Sequence, residues 1–129
     1  MLKVLILNTD AEELKEITGE VEAFVKESGV KKGLCLVYCP HTTAAITINE
    51  NADPDVKEDF LMGLSKSFPK DKEYKHYEGN SHAHLKSAAI GASEMFIIED
   101  GQLVRGTWQG LYFCEFDEPR TRKVYVKII

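Results

Sequence analysis

Three of the chain's four histidines, His76, His82 and His84, crowd into one short polar stretch. The fourth, His41, sits in Pro40-His41-Thr42-Thr43 between two apolar runs. Imidazoles titrate near neutral pH and ligate metals, so such a set suits proton transfer or a metal centre. His82 and His84 form an H-x-H pair. On a strand that spacing puts both rings on one face, whereas on a helix residues two apart diverge by about 200°. The alternative is a pair of surface or capping histidines. His41, flanked by hydroxyls between buried strands, needs a hydrogen-bond partner, and a structural histidine bonded to backbone explains it as well as a reactive one does.

Glu115 is the sharpest anomaly, because in Leu111-Tyr112-Phe113-Cys114-Glu115-Phe116 it shares a strand face with Leu111 and Phe113. A carboxylate there must pair, bind a metal, or serve as an acid or base with a raised pKa. A structural ion pair to Arg120 or Arg122 is the competing explanation. Asn49, Glu50 and Asn51 suit phosphate or a Mg²⁺-pyrophosphate group, or an ordinary polar loop. Asp53 reads first as a helix cap. Trp108, between glycines in Gly106-Thr107-Trp108-Gln109-Gly110, suits stacking on a flat heterocycle or packing over a sheet edge.

The elements that must position these side chains follow from periodicity and punctuation. Leu2 to Asn8 reads as a strand, and Asp10 to Ile17 is ambiguous between a short helix and an irregular arm. Thr18 is placed to cap a helix over Glu20 to Glu27, closed by Ser28-Gly29. The continuously apolar Gly33 to Cys39 predicts a central strand covered on both faces, broken by Pro40. Ala44 to Ile48 resumes a strand, which leaves His41 at a strand end. Asp53-Pro54 starts a helix whose Val56, Phe60, Leu64 and Phe68 recur every four residues until Pro69. After the polar connection Lys70 to Asn80, Ser81 is placed to cap a helix with Leu85, Ala88 and Ala89 on its small-residue face, stopped by Gly91. Asp100-Gly101 between Met95–Ile98 and Leu103-Val104 predicts a type I′ hairpin. Gln109 to Phe116 and Lys123 to Ile129 are two more strands. About seven strands and two or three helices predict an α+β fold whose mostly antiparallel sheet is folded into two layers.

At 129 residues the chain fits one domain, residues 1–129, large enough to fold around its own core without a metal or disulfide staple. The net charge of −5 carries no basic cluster, which argues against a nucleic-acid partner. No run is long enough to span a membrane. Met1 leads directly into a strand-like run without a leader pattern, so the expectation is a soluble cytoplasmic protein. Cys35, Cys39 and Cys114 make an odd count without zinc-knuckle spacing, and read as buried reduced thiols.

Several ordered motifs together resemble one family. They are Pro40-His41-Thr42-Thr43-Ala44-Ala45, Asn49-Glu50-Asn51-Ala52-Asp53-Pro54, Tyr74-Lys75-His76, His84-Leu85-Lys86-Ser87, Gly91-Ala92-Ser93, Gly106-Thr107-Trp108-Gln109-Gly110, and Cys114-Glu115 followed by the Arg120 to Lys123 basic run. The chain from Gly33 onward is similar to the YjbQ-type family, described as secondary thiamine-phosphate synthases. The resemblance implies a β-sandwich-like core, a homotrimer, and weak coupling of hydroxymethylpyrimidine diphosphate to thiazole phosphate with loss of pyrophosphate, normally with Mg²⁺. It implies His41, His84 and Glu115 as catalytic residues and His41, His76 and His84 as a histidine cluster, where three imidazoles with an open fourth position would suit Zn²⁺. It also implies Asn49, Asn51, Asp53, Lys86, Trp108 and Arg122 as contacts to a phosphorylated small molecule. His82 falls where the family pattern varies, so its replacement is expected to matter little. A metal- or phosphometabolite-binding module with incidental activity, or a metal-dependent hydrolase, would use the same residues.

Overall fold

Strand alternation builds one larger sheet with a single inward face. In β1 (Leu2–Asn8) Leu5 and Leu7 turn inward, in β3 (Gly33–Tyr38) Cys35 and Val37, in β5 (Ser93–Glu99) Phe96 and Ile98, and in β8 (Thr121–Ile128) Val124, Val126 and Ile128. The computed structural model describes residues 1–129. It orders these strands, with the short β6 (Gln102–Leu103), as β1-β8-β3-β5-β6. A second sheet has the order β2-β7-β4, from β2 (Glu13–Glu16), β7 (Gln109–Glu115) and β4 (Ala44–Glu50). All pairings are antiparallel, and three helices complete an α+β fold.

The main core lies between the two sheets. Ile46, Leu111 and Phe113 of the smaller sheet meet the inward face of the larger one together with Val21, Phe24 and Val25 of α1 (Thr18–Ser28). On the other face of the smaller sheet, Ala45, Tyr112, Cys114 and Phe116 form a second apolar cluster. Phe60, Leu61 and Leu64 of α2 (Pro54–Ser67) and Ala83 of α3 (Ser81–Ile90) cover it. β7 is therefore buried on both faces, and each large apolar side chain it buries contributes on the order of 1.5–3 kcal/mol.

Several sequence expectations hold. Asp100 (φ 52°) and Gly101 (φ 76°) make the tight turn between β5 and β6. Asp53 Oδ1 accepts from Asp55 N at 2.9 Å and caps α2 ahead of Pro54. Gly29 (φ 72°) ends α1. The three cysteines are free and buried.

Others change. Residues 13–16 are neither helix nor irregular arm but an edge strand, because pairing with β7 supplies a ladder that local composition does not announce. Thr18 begins α1 rather than capping it, with its hydroxyl donating to Glu16 Oε2 and accepting from Leu111 N. α3 turns the opposite face inward: His82, Ala83, Lys86 and Ser87 are buried, while Leu85, Ala88 and Ala89 are exposed. Specific bonds explain the rotation. Ser87 Oγ donates to Ala44 O at 2.6 Å, and Lys86 Nζ to Glu12 Oε1 and Ser65 Oγ, each at 2.9 Å. β3 is central but covered on one face only. Leu34 and Tyr38 stay exposed beside Val4, Met95 and Ile97, and the outer face of the larger sheet is thereby apolar.

Candidate functional site

Strand registers bring four segments to one end of the sandwich. Ala44 of β4 lies opposite Glu115 of β7, and Leu7 of β1 opposite Arg122 of β8. The Pro40–Thr43 link, Thr9 and the start of α3 therefore meet there. Because β7 and β8 both turn these positions inward, Glu115 and Arg122 face each other at 0% and 4% exposure. Arg122 Nε donates to Glu115 Oε1 at 2.7 Å and Nη2 to Oε2. Thr9 Oγ1 donates to Oε1 at 2.6 Å and Asp117 N to Oε2 at 3.1 Å. The carboxylate is thus fully engaged, in the structural ion pair considered from sequence, and the partner is Arg122 rather than Arg120. Arg122 Nη2 also donates to Thr43 Oγ1 at 2.8 Å, leaving Nη1 as the one guanidinium nitrogen without a protein partner.

Above this pair lies a cleft of about 400 Å³ bordered by His41, His76, His84, Asn80, Arg120 and Arg122. His41 Nε2 accepts from Lys123 N at 2.9 Å. A neutral imidazole that accepts through one nitrogen carries its proton on the other, so His41 offers Nδ1–H as a donor. Burial, and then the Arg122 charge, hold its pKa below the ordinary 6.5 and favour that neutral form. The His76 and His84 rings stand edge to face with centroids 5.3 Å apart. All three histidines border this cleft, and ligation of zinc through His41 Nε2 would require its bond from Lys123 N to be released.

His82 and His84 separate as helix geometry requires. His84 borders this cleft, while His82, only 7% exposed, borders a second cleft of about 430 Å³ together with Glu12 and Lys70. Asn80, Asp117, Arg120 and Glu78 are shared by both clefts. Asn80 Nδ2 and Arg120 Nη2 each donate to Asp117 Oδ2 at 2.9 Å. Burial alone would raise the Asp117 pKa, but these bonds outweigh it and hold the carboxyl below its ordinary range. Sequence reasoning missed Asn80 and Asp117. Their only signal was position, one before the helix and one after the apolar strand.

The remaining expected contacts lie elsewhere in the chain. Lys86 is 2% exposed and paired with Glu12. Asn49 pairs with Gly110 at the far end of the smaller sheet. There Asn51 N donates to Trp108 O, and Asn51 Nδ2 to Glu16 Oε2. Gly110 permits this contact, because an added Cβ would lie 2.7 Å from Asn51 Cβ. Thr43 and Asn51 are eight residues apart, so at about 3.3 Å per strand residue the two ends are on the order of 25 Å apart. Trp108, at 61% exposure, and Asp53 belong to this far end. A further cleft, about 670 Å³, lies beside Arg105, whose guanidinium is paired with Glu22.

Acid should weaken the fold through the histidines. Burial, then the charges of Lys86 and Lys70, lower the His82 pKa as well. The unfolded chain therefore binds more protons than the folded one below the ordinary value of 6.5. Stability is full above that value and falls as pH drops through it. The Asp117 contribution, from a lowered pKa, is lost only below its ordinary 3.8. Urea melts between about pH 7.5 and 5 should show the midpoint falling, with a shallower fall in a His41→Asn/His82→Asn variant. A flat midpoint would contradict the assignment.

Comparison with known proteins places the chain in a wider group. A family model described as UPF0047 protein YjbQ-like matches residues 3–129. The UPF0047 protein YugU of Bacillus subtilis is 56% identical, with 100% of this chain and 99% of that protein covered. A UPF0047 protein of Methanocaldococcus jannaschii is 51% identical over 100% and 94%. The crystal structure of an uncharacterized YjbQ/UPF0047-family protein from Clostridium acetobutylicum superposes with a TM-score of 0.96 at 57% identity, covering 98% of this chain and 99% of that one. A hypothetical protein from Aeropyrum pernix gives 0.94 at 34% identity, covering 100% and 98%. With its motifs, two-sheet core and full-length matches in agreement, the chain belongs to the YjbQ-like UPF0047 family.

Proposed function

We propose that the His41–His84–Arg122 cleft binds a phosphorylated small molecule and catalyses thiamine-phosphate-synthase-like coupling of hydroxymethylpyrimidine diphosphate to thiazole phosphate. The observation that carries this reading is Arg122, held rigid by Glu115 and Thr43 with Nη1 free of protein partners, in a cleft that His41 also borders. Fixed donors of this kind stabilise the charge that develops on a departing pyrophosphate. His84 is the candidate proton carrier, and Glu115 acts through Arg122 as a positioning residue rather than touching substrate. Mg²⁺ would arrive with the diphosphate and offset its charge. Zinc would need His41 to release Lys123. The test is pyrophosphate release and coupled product with both substrates present. Tight binding without turnover would favour a metabolite-binding module, and hydrolysis without coupling a hydrolase.

Assembly as a homotrimer is part of the same reading, and the exposed apolar face of the larger sheet supports it. Val4, Leu34, Tyr38, Met95 and Ile97 lie together there, at 37% exposure or more. Faces of this kind commonly mark association surfaces. Trp108 and Asn51 would reach the same ligand only if a neighbouring copy supplied them. Light scattering should give a trimer for the native chain and a monomer for Tyr38→Glu/Ile97→Glu. A native monomer would contradict the assembly.

A further inference from the structure

The amide of Asn80 is fixed by chemistry. Its neighbour Asp117 is an acceptor that already takes a hydrogen bond from Arg120, so only Nδ2 of Asn80 can face it. Oδ1 must then point elsewhere, and it is the one buried side-chain N or O atom in the protein without a partner. The usual local partner is absent. Asn80 precedes α3, yet its side chain makes no cap bond, and Ala83 N and His84 N bond to its backbone oxygen instead. A buried carbonyl left unpaired bears its desolvation cost without compensation, so the site calls for a donor from outside the chain. Asn80 is 8% exposed and lies where the His84 cleft meets the His82 cleft.

We infer that Asn80 is a specificity-determining residue whose Oδ1 accepts a hydrogen bond from an N–H or O–H group on the non-phosphate end of the ligand. The inference rests on the phosphate-binding reading of the cleft. The ligand class is a phosphorylated small molecule with a donor-bearing ring, held by Arg122 and His41 at its acidic end and by Asn80 at the other. An amino-substituted pyrimidine diphosphate has this form.

Calorimetric titration tests this with three probes: inorganic pyrophosphate, hydroxymethylpyrimidine diphosphate with its ring amine, and the same molecule with hydrogen in place of the amine. The native protein should bind pyrophosphate and should prefer the amine-bearing molecule over its deaminated counterpart by about tenfold. In Asn80→Ala the preference should collapse to about one. A purely structural role would weaken both ligands equally and preserve the ratio, which would overturn the inference. Asn80→Ser, which shortens the acceptor out of reach, reads the same ratio if the alanine variant folds poorly. No preference in the native protein overturns the inference alone, whereas no pyrophosphate binding overturns the cleft reading and the inference with it.

Discussion

Replacing Glu115 by alanine is expected to lower the unfolding free energy by about 3–5 kcal/mol, because it strands the buried guanidinium of Arg122 without its counter-charge. Four hydrogen bonds end on the Glu115 carboxylate and none of it reaches solvent. Glu115→Gln keeps the shape but not the charge. Read from sequence alone, as a reactive acid, that variant should lose activity and keep its fold. The burial of both partners predicts that it loses stability as well. Urea denaturation measures the difference. The double variant Glu115→Leu/Arg122→Met should recover most of the loss, since an apolar pair of similar volume removes both desolvated charges together. Single-variant losses below about 1 kcal/mol would show that the pair is solvated and that its rigid presentation of Arg122 is wrong.

The same double variant separates stability from chemistry. With its fold restored it should still fail to bind pyrophosphate, because Nη1 of Arg122 is gone. His84→Ala gives the second large effect: on the proposed function, coupling should fall about 10²- to 10⁴-fold, the usual contribution of a positioned acid or base. Its stability should change little, as His84 is half-buried and makes no side-chain hydrogen bond within the protein. Full coupling in His84→Ala would remove this histidine from the reaction. His82, expected from sequence to be a silent control, is 7% exposed and lines its own cleft, so His82→Ala should reduce stability while leaving coupling nearer the native level.

How far the site was legible depended on whether a residue's role is local. Asp53 capping α2 and the Asp100-Gly101 turn are decided within a few neighbouring residues, and their sequences announce them. The separation of His82 from His84 is likewise local, since it follows from the angular pitch of a helix. Glu115 was recognisable as an anomaly because strand alternation puts it among Leu111 and Phe113. What engages it was open: Arg120 and Arg122 are two apart on the chain, and only the inward turn of β8 selects Arg122. Asn80 and Asp117 carried no pattern at all, since their bond joins the start of α3 to the end of β7.

The amino-acid sequence by itself determined the family, the antiparallel α+β class and which histidines are rare enough to matter, because motif spacing and period-two alternation are properties of the chain. Tertiary structure alone decided which side chains share a cleft. It set Lys86 against Glu12, left Trp108 and Asn51 at the far end of the smaller sheet, and turned the polar face of α3 inward. The physical reason is that strand register and helix rotation are chosen by the sum of many distant contacts. Each residue feels that sum only after the two sheets have closed on their common core.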